Sequence, residues 1–354
     1  MILSKTIIQD NLSARQALHA LNELAGEMGP QTILFVIDTE KKLIGTLTDG
    51  DIRRGLVKGL DLSASVTLFM RREYKFLNDS NFTQSYVEEL QHKQILQVPY
   101  INKENKIIDI IDLNQLKAFL PVDVFIMAGG KGQRLKPLTD KVPKPLLKLG
   151  NKSIIEHGID WYCKFGIKNF SVSVNYLSDQ IIKQLGTGTE RNIKINYVHE
   201  SEPLGTIGSV GLVKEWKQEY VLVVNSDLLT NINLKDFYDL FKRSNADCAV
   251  ASVSYQVAIP YAVFELSDEK EVLSLKEKPI VNYYSNAGLY LFKKEILNMI
   301  PQGEKYDATD FLERLISLGK KVVSYPITGY WLDIGRMEDY LKAQEDIKYL
   351  NFNL

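Results

Sequence analysis

The stretch that decides the fold of this chain is Val124-Phe-Ile-Met-Ala-Gly-Gly-Lys-Gly-Gln-Arg-Leu-Lys-Pro-Leu-Thr139, which runs on to Pro143-Lys-Pro-Leu146. Its first four residues are apolar and predict a buried parallel strand. Three glycines follow and allow the backbone to turn sharply and to approach a ligand closely. Backbone N–H groups of such a loop can hold phosphate oxygens. Lys131, Arg134 and Lys144 add positive charge to the same segment. The stretch therefore predicts a strand that ends in a polyphosphate-binding loop.

Two better-known glycine motifs do not fit this stretch. A Walker loop requires Gly-x4-Gly-Lys-Ser/Thr, and that spacing is absent here. A dinucleotide fingerprint requires a third glycine where this chain has Leu135, followed at once by a helix where it has Lys136-Pro137. A glycine-rich turn with unrelated cations remains the alternative on the residues alone.

The same segment resembles the signature of the sugar-1-phosphate nucleotidylyltransferases, enzymes that join a nucleoside triphosphate to a sugar 1-phosphate. The resemblance implies catalytic roles for Arg134, on the triphosphate, and for Lys144, on the phosphate of the sugar or the α-phosphate. It implies a nucleotide-binding role for the loop residues Ala128, Gly129, Gly130, Lys131 and Gly132.

Bulk properties indicate an ordinary globular protein. The 354 residues suffice for two or more domains, and a net charge of −1 gives no basic surface for nucleic acid. No apolar run approaches the roughly 20 residues of a membrane span, and the N-terminus lacks a secretory pattern. The two cysteines are not spaced as metal ligands, which favours reduced thiols in the cytoplasm. We expect a homo-oligomer that binds neither nucleic acid nor a membrane.

The first third of the chain contains an internal duplication with an offset of 64 residues, in which residues 33–45 align without gaps on residues 97–109. Each copy predicts a strand, a polar turn, a second strand and the start of a helix. Ser13 and Thr83 are predicted N-caps of the helices upstream of the two copies. A period of this length is too long for a solenoid repeat. We therefore expect the two copies to pack face to face as one small α/β domain, residues 1–120.

This duplication resembles a tandem cystathionine-β-synthase-type (CBS) pair, a module that often binds adenine nucleotides. In that family a Thr/Ser-x-x-Asp step holds a ribose, and Thr48-Asp-Gly-Asp51 matches it. The resemblance therefore implies a regulatory nucleotide site at Thr48 and Asp51. Asp112 and Gln115 stand at the equivalent positions of the second copy. The alternative is a structural or dimerising appendage with an empty cleft.

Residues 121–354 alternate apolar runs with helical patterns, which predicts a mostly parallel sheet with helices on both faces. The predicted strands are residues 124–127, 170–175, 193–198, 220–225, 248–254, 262–266, 272–276, 286–292 and 322–325. The resemblance implies a Rossmann-like nucleotidyltransferase domain here. In such sheets ligands collect at the carboxyl ends of the strands.

The turn after the strand at 193–198 predicts a site for the nucleotide base. By resemblance, Glu200, Pro203, Gly205 and Thr206 enclose the base of the triphosphate. A carboxylate only accepts hydrogen bonds, whereas guanine offers N1–H and N2–H donors on one edge. Glu200 therefore favours guanine over uracil or thymine. A solvated acidic loop residue is the alternative reading of Glu200.

Two aspartates are candidate metal ligands. Asp227 follows the fully apolar strand at 220–225, where a charge is costly to bury unless a cation is bound. Read alone, Asp227 could equally cap a turn. Asp333 lies in Trp-Leu-Asp-Ile-Gly, which resembles the family's Trp-x-Asp-x-Gly element, whose aspartate is a second ligand to the same metal. Carboxylates combined with substrate phosphates suit Mg²⁺. The pairing of these two distant residues is a prediction about geometry.

The resemblance also implies a sugar-phosphate site. Glu277 would accept from sugar hydroxyls, Lys278 would contact the phosphate, and Trp331 would lie beside the sugar. The positions matched by this part of the family's pattern are Tyr261, Glu277, Lys278, Asn286, Gly288 and Trp331. The chain has Ala262 where the family often has glycine, and Leu228 where some relatives have asparagine.

A narrower resemblance concerns the substrate. A CBS-like pair ahead of a guanylyltransferase-like domain resembles enzymes that form GDP-activated amino sugars, such as GDP-glucosamine, for nonulosonic (legionaminic acid-type) synthesis. We therefore expect GTP and glucosamine 1-phosphate as substrates. Mannose 1-phosphate, a heptose 1-phosphate, or a uridylyl- or thymidylyltransferase activity stay open. A nucleotide sensor with an inactive transferase fold is the alternative that is not an enzyme.

Overall fold

The computed structural model describes residues 3–28, 32–78 and 80–350. These residues divide into two compact units, the first ending at Phe119 and the second beginning at Leu120. Each unit has hydrophobic cores of its own. None of the helices in the described ranges combines the length and the apolar character that a membrane crossing requires.

In its described residues, the first unit has a three-stranded and a two-stranded sheet together with four α-helices. Its strands are β1 (Ile7–Gln9), β2 (Leu34–Ile37), β3 (Leu43–Leu47), β4 (Gln97–Ile101) and β5 (Ile107–Asp112). Its helices are α1 (Leu3–Thr6), α2 (Ala14–Met28), α3 (Asp49–Val57) and α4 (Gln84–His92). β2 pairs in parallel with β1 and antiparallel with β3, while β4 and β5 form an antiparallel hairpin. Both predicted N-caps are confirmed, since Ser13 accepts from the Gln16 N–H and Thr83 from the Tyr86 N–H.

The internal repeat is confirmed in the turns between the strands. The Lys42 N–H donates to Asp38 Oδ1 at 2.9 Å, and 64 residues later the Lys106 N–H donates to Asn102 Oδ1 at the same distance. The two turns also meet, because the Leu43 N–H donates to the Asn105 carbonyl at 2.9 Å. The copies therefore share one small unit.

The helix start predicted for the second copy is wrong. α3 follows β3, but after β5 residues 113–115 form a turn and residues 116–119 are irregular. Asp112 does bind the Asn114 N–H at 2.9 Å, as an N-cap would. Pro121 disfavours the helical conformation of the residue before it, which leaves too few residues to sustain a helix.

The second unit is built on a seven-stranded sheet flanked by helices and small ribbons. Its strands are β6 (Val122–Met127), β7 (Lys148–Leu149), β8 (Lys152–Ser153), β9 (Asn169–Val174), β10 (Lys194–His199), β11 (Tyr220–Asn225), β12 (Leu228–Thr230), β13 (Cys248–Ala258), β14 (Val263–Leu266), β15 (Val272–Lys276), β16 (Ile280–Lys293), β17 (Val322–Pro326) and β18 (Trp331–Asp333). Its helices are α5 (Ile154–Cys163), α6 (Ser178–Leu185), α7 (Leu234–Arg243), α8 (Lys294–Leu297), α9 (Ala308–Ser317) and α10 (Met337–Asp346).

The strand order of the large sheet is β10-β9-β6-β11-β16-β13-β17, and only β16 runs antiparallel to its neighbours. The prediction of a mixed α/β fold with a mostly parallel sheet is confirmed. All nine predicted strands are present, but β13 and β16 are longer than predicted because their outer ends pair with each other from Ser252 to Ala258.

The parallel strands β6, β9, β10 and β11 all end at one edge of the sheet. The glycine loop follows β6 at Met127, the predicted base turn follows β10 at His199, and Asp227 comes two residues after β11. The topology alone therefore brings three distant sequence motifs to the same edge.

Helix α5 is held at its N-terminus by a buried carboxylate. Glu156 accepts from the Ser153 N–H at 2.9 Å and from its hydroxyl at 2.6 Å, and Arg191 donates to the same carboxylate at 2.7 Å. Burial by itself would raise the pKa of Glu156, but these hydrogen bonds outweigh it and lower the pKa to about 2. The ionised form is therefore stabilised by folding.

We predict that Glu156→Gln lowers the free energy of unfolding by on the order of 2–3 kcal/mol at pH 7. Because the folded-state pKa lies below the usual glutamate value of 4.5, the contribution to stability is complete above that pH and is lost as pH falls toward 2. Urea unfolding should therefore show a smaller difference in the free energy of unfolding between wild type and variant at pH 3 than at pH 7. The exposed Glu313→Gln on α9 is the matched control, and an equal loss there would contradict this role.

Candidate active site

A cleft of about 740 Å³ lies at the carboxyl edge of the large sheet. The glycine loop contributes to its wall through Gly129, Gly130, Lys131, Gly132 and Arg134. Predicted residues from four other segments also line it: Lys144, the turn residues Glu200, Pro203, Gly205 and Thr206, and the carboxylates Asp227 and Asp333. The fold therefore brings residues predicted to bind the nucleotide, to bind the metal and to act in catalysis into one cavity.

Two glycines of the loop are required by close packing. A Cβ on Gly129 would lie 2.6 Å from Glu200 Oε1, so the loop can approach the base turn only without a side chain there. Gly132 has φ +60, and a Cβ on it would lie 2.9 Å from Lys144 Cβ. The loop is thus pressed between the base turn on one side and the Lys144 segment on the other.

One small hydrophobic cluster anchors the catalytic candidates. It contains Leu135, Leu147, Leu229 and Ile334 among its buried members. Arg134 and Asp333 are direct chain neighbours of members of this cluster, while Asp227 and Lys144 lie two and three residues from others. Packing of apolar side chains therefore sets the positions of the charged ones, which need not attract one another for the site to form.

The structure brings Asp227 and Asp333 together, as the sequence analysis predicts. Strand β12 pairs with β18 so that Leu228 lies opposite Asp333, and the Ile334 N–H donates to the Asp227 carbonyl at 3.1 Å. The Lys144 ammonium group pairs with Asp227 Oδ2. Among the described residues, the buried Oδ1 atoms of both aspartates have no hydrogen-bond partner.

Burial raises the pKa of Asp333, and the neighbouring Asp227 carboxylate raises it further. Lys144 and Arg134 oppose this shift. Two carboxylates that share a buried site and keep an oxygen each without a partner are electrostatically unfavourable in the protein alone.

The base turn is supported by a segment that the sequence analysis did not identify. The Thr206 N–H and hydroxyl donate to Asp307 Oδ1 at 2.9 and 3.1 Å. A Cβ on Gly205, which has φ +76, would lie 2.6 Å from the Tyr306 carbonyl oxygen. Glu200 is buried, and its Oε2 accepts from the Leu204 N–H at 3.3 Å. The turn is therefore rigid, with its carboxylate facing the cleft.

Three cations of the cleft form no ion pair with a carboxylate of the described residues. Lys131, Arg134 and Lys305 line it, and in residues 3–28, 32–78 and 80–350 none of them has an ion-pair partner. Sequence reasoning missed Lys305, which follows the Gly303 turn in a loop without a recognisable motif. It also missed Ser173, Asn225 and Ser226, although the last two directly precede Asp227 at a strand end.

The predicted sugar residues fall into two groups. Trp331 donates its indole N–H to the Ala287 carbonyl at 2.9 Å, and Asn286 Oδ1 accepts from the Gly288 N–H at 3.0 Å. Gly288 packs against Asn225, which lines the cleft, so this group borders the cavity. Tyr261, Glu277 and Lys278 are not among the lining residues and lie on an exposed extension of the sheet.

Three further residues that were predicted to bind nucleotides already use their hydrogen-bonding groups within the protein. The Ala128 side chain is buried and its N–H donates to the carbonyl and hydroxyl of Ser173, so it is not free to bind phosphate. In the first unit, Thr48 caps α3 and Asp51 accepts from Thr48, Arg54 and Arg71. The Asp51 carboxylate is thus already satisfied by protein groups.

The fold and the cleft together define a nucleotidyltransferase-type α/β unit. The chain belongs to the nucleotidyl transferase family, which matches it over residues 123–349.

Among curated relatives, mannose-1-phosphate guanyltransferase beta-A of Xenopus laevis is 30% identical over 223 residues, covering 61% of this chain and 62% of that protein. Mannose-1-phosphate guanylyltransferase of Mycobacterium tuberculosis is 28% identical over 232 residues, covering 64% of each. This chain therefore spans less than two thirds of the length of these relatives. The crystal structure of HddC from Yersinia pseudotuberculosis is similar with a TM-score of 0.51 and 27% identity, covering 64% of this chain and 99% of that one. A second HddC structure is a complex with GMP-PN, at a TM-score of 0.50 and 26% identity.

We predict that Asp333→Asn stabilises the protein in EDTA by on the order of 1 kcal/mol, because it removes one of two neighbouring, half-buried like charges. Because the pKa of Asp333 is raised in the folded protein, the wild type regains this stability as pH falls through that pKa toward the usual aspartate value of 3.8. The gap in melting temperature between variant and wild type should therefore close at low pH. The exposed Asp268→Asn is the control, and a destabilised Asp333→Asn protein in EDTA would contradict the electrostatic argument.

Proposed function

We propose that this cleft transfers a nucleotidyl group from a nucleoside triphosphate to a sugar 1-phosphate. An oxygen of the sugar phosphate attacks the α-phosphorus, the bond from that phosphorus to the bridging oxygen breaks, and pyrophosphate leaves. The observation that carries this proposal is the cleft itself. It is lined by two carboxylate oxygens without a hydrogen-bond partner among the described residues, and by Lys131, Arg134 and Lys305, which form no ion pair there.

No general base is required for this reaction. A phosphate monoester has a second pKa of about 6, so its oxygen is already anionic at neutral pH. The residues that line the cleft include no histidine. Catalysis then depends on positioning and on neutralising charge. Arg134 is assigned to the triphosphate together with Lys131 and Lys305, and Lys144 to the sugar phosphate or the α-phosphate.

The donor set fits Mg²⁺. The partnerless Oδ1 atoms of Asp227 and Asp333 are hard oxygen ligands on one wall of the cleft. Within the described ranges, no group of three or more His, Cys, Asp and Glu side chains could hold a metal. The protein would thus supply two carboxylates and leave the other positions to phosphate and water, as Mg²⁺ sites commonly do. When bound, the ion would neutralise negative charge on the phosphates.

Guanine is the base that the turn supports best. Glu200 presents an acceptor in a rigid, buried setting, and guanine offers two adjacent N–H donors. The names of the two curated relatives describe guanylyl transfer, and the second HddC structure holds GMP-PN. These observations support GTP as the nucleotide substrate.

Two sugar phosphates are the leading acceptors. The order of the two units, a tandem repeat ahead of the transferase unit, favours glucosamine 1-phosphate. The names of the curated relatives favour mannose 1-phosphate. A heptose 1-phosphate is the third candidate.

The decisive experiment measures pyrophosphate release from GTP, UTP, dTTP and ATP, each combined with glucosamine, mannose, glucose and heptose 1-phosphates. We expect release with GTP and one of the first two sugars, and only when Mg²⁺ is present. Release with UTP or dTTP instead would contradict the assignment of Glu200. No release from any pair would favour the alternative of a nucleotide sensor with an inactive transferase fold.

In the same assay, Arg134→Ala should lower turnover by about 10³-fold, by analogy with other cations that stabilise phosphoryl transfer. The matched control is Lys136→Ala, because this exposed lysine lies on the same segment, pairs with Asp140 and does not line the cleft. A loss below tenfold in Arg134→Ala would remove the guanidinium from the mechanism.

For the first unit, we propose a CBS-type pair with a structural rather than a ribose-binding role at Asp51. The supporting observation is that Thr48, Arg54 and Arg71 already use both oxygens of its buried carboxylate. AMP titrated against the whole chain should therefore leave its melting temperature unchanged. A shift that Asp51→Ala abolishes would instead establish a regulatory nucleotide site at Thr48 and Asp51.

A further inference from the structure

Ser173, near the end of β9, combines deep burial with a place in the wall of the cleft. Only 1% of its surface is exposed, yet it lines the cavity together with Met127 and Glu200. The burial follows from the fold, because β9 lies between β6 and β10 in the large sheet. A hydroxyl group in such a place is costly unless its hydrogen bonds are made.

The hydroxyl group of Ser173 uses its oxygen but not its hydrogen. Its Oγ accepts from the Ala128 N–H at 3.3 Å. Among the hydrogen bonds of residues 3–28, 32–78 and 80–350, this hydroxyl donates none. A buried donor without an acceptor is destabilising, so Ser173 has one hydrogen bond left for a ligand in the cleft.

The polar group that faces the cleft beside Ser173 is the Glu200 carboxylate. β9 and β10 run in parallel, and the Glu200 N–H donates to the Val174 carbonyl at 3.0 Å, so the two residues lie at neighbouring strand ends about 5 Å apart. Glu200 Oε2 accepts from the Leu204 N–H, whereas Oε1 accepts from no group in the described part of the chain. The wall therefore presents a hydroxyl donor next to a carboxylate acceptor.

The glycine loop leaves both groups open to the cleft. The Ala128 N–H donates to Ser173, and a Cβ on the next residue, Gly129, would lie 2.6 Å from Glu200 Oε1. Consecutive Cα atoms are about 3.8 Å apart, so Ser173 and Glu200 contact one short piece of backbone. Because Gly129 has no side chain, one planar group of a ligand can reach both residues at once.

A donor beside an acceptor is complementary to a carbonyl oxygen beside an N–H group. Guanine presents this pair as O6 and N1–H, and its N2–H is a further donor for the carboxylate. Adenine and cytosine present an amino group beside a ring nitrogen that only accepts. That nitrogen would face the Glu200 carboxylate with no hydrogen between them. The pair of Ser173 and Glu200 therefore favours guanine over adenine and cytosine.

A phosphate group is the other acceptor that a nucleoside triphosphate could offer to Ser173. It would bring its negative charge up to the Glu200 carboxylate, which is unfavourable. The cations of the cleft favour a different place for the reacting phosphate. Lys144 pairs with Asp227, and Arg134 Nη1 would lie 3.4 Å from a Cβ on Gly335, so both stand beside the candidate metal ligands. The base is therefore the better match for Ser173.

We propose that Ser173 determines base specificity together with Glu200. The Ser173 hydroxyl donates to O6 of guanine while the Glu200 carboxylate accepts from N1–H and N2–H. This assignment rests on the proposed function, because it takes GTP as the nucleotide. It adds a second base-reading residue, on a strand where no motif in the sequence indicates one.

The first test compares GTP with 6-thioguanosine triphosphate, whose sulfur is a weaker acceptor in place of O6, while N1–H and N2–H are kept. Calorimetry on the full chain at pH 7, without sugar phosphate, should show the wild type binding GTP about 3–10-fold more tightly, as expected for one neutral hydrogen bond. Ser173→Ala should bind the two nucleotides equally. Equal binding by the wild type, which requires no variant to measure, would overturn the proposal.

Two controls separate base recognition from other effects. Ser171→Ala lies on the same buried strand but outside the cleft lining, and it should keep the wild-type preference for GTP. Inosine triphosphate has O6 but no N2–H, so Ser173→Ala should weaken its binding by the same factor as that of GTP. In this variant the Ala128 N–H keeps the carbonyl of residue 173 as its acceptor at 3.2 Å, which holds the loop in place. An equal loss for GTP and its thio analogue would put the hydroxyl on a phosphate and refute the assignment.

Steady-state kinetics give a further readout. The base contact is the same before and during transfer, so the effect of Ser173→Ala should appear in the KM for GTP rather than in kcat or in the KM for the sugar phosphate. A loss confined to kcat would contradict a role in base recognition. If the wild type binds GTP but releases no pyrophosphate with any sugar phosphate, the proposed transfer fails, while the binding ratios still decide the role of Ser173. Tighter binding of ATP than of GTP by the wild type would overturn that role.

Discussion

Two half-buried carboxylates lie together at the carboxyl edge of the large sheet, with one ammonium group beside them. The carboxylates of Asp227 and Asp333 repel each other. Lys144 pairs with Asp227 and offsets only part of this repulsion, so the pKa of Asp333 stays raised. Holding like charges together requires a rigid surrounding structure. Here the β12–β18 ribbon and the apolar cluster around Leu135, Leu229 and Ile334 provide it.

The large sheet and the apolar cluster of the second unit hold these two carboxylates and the other cleft residues in place. The large sheet delivers the glycine loop, the base turn and Asp227 to one edge, and the apolar cluster brings Asp333 and Lys144 to them. What results is a cleft lined by four basic and three acidic side chains, in which the Oδ1 atoms of Asp227 and Asp333 have no hydrogen-bond partner among the described residues. Two neighbouring carboxylates of this kind are electrostatically unfavourable in the protein alone.

Local patterns in the sequence were sufficient to predict most strands of the second unit and most residues of the cleft. Strand runs such as 220–225 and 272–276 agree with the structure, because an apolar run bounded by turn residues has few other options in an α/β protein. Twelve candidate residues do line the cleft, since motifs that follow parallel strands must meet at one edge. Lys305 and the support of the base turn by Asp307 could not be predicted, because these contacts join residues about a hundred positions apart without a local motif. The exposure of the β14–β15 hairpin was equally unpredictable, because its strands alternate like any amphipathic pair and only the structure shows Phe264 and Leu275 exposed among the described residues.

The sequence by itself determined the class of fold, the position of the glycine loop, the internal repeat with its offset of 64 residues, and the two candidate metal carboxylates. These depend on backbone freedom at glycine, on hydrophobic periodicity and on the cost of burying charge, which act over a few residues. Only the tertiary structure decided that Asp227 and Asp333 meet, that Asp51 is satisfied internally, and that Glu277 and Lys278 lie outside the cleft of their own chain. Those outcomes depend on which strands pair and which faces stay uncovered, and such long-range packing leaves no signal in any short stretch of sequence.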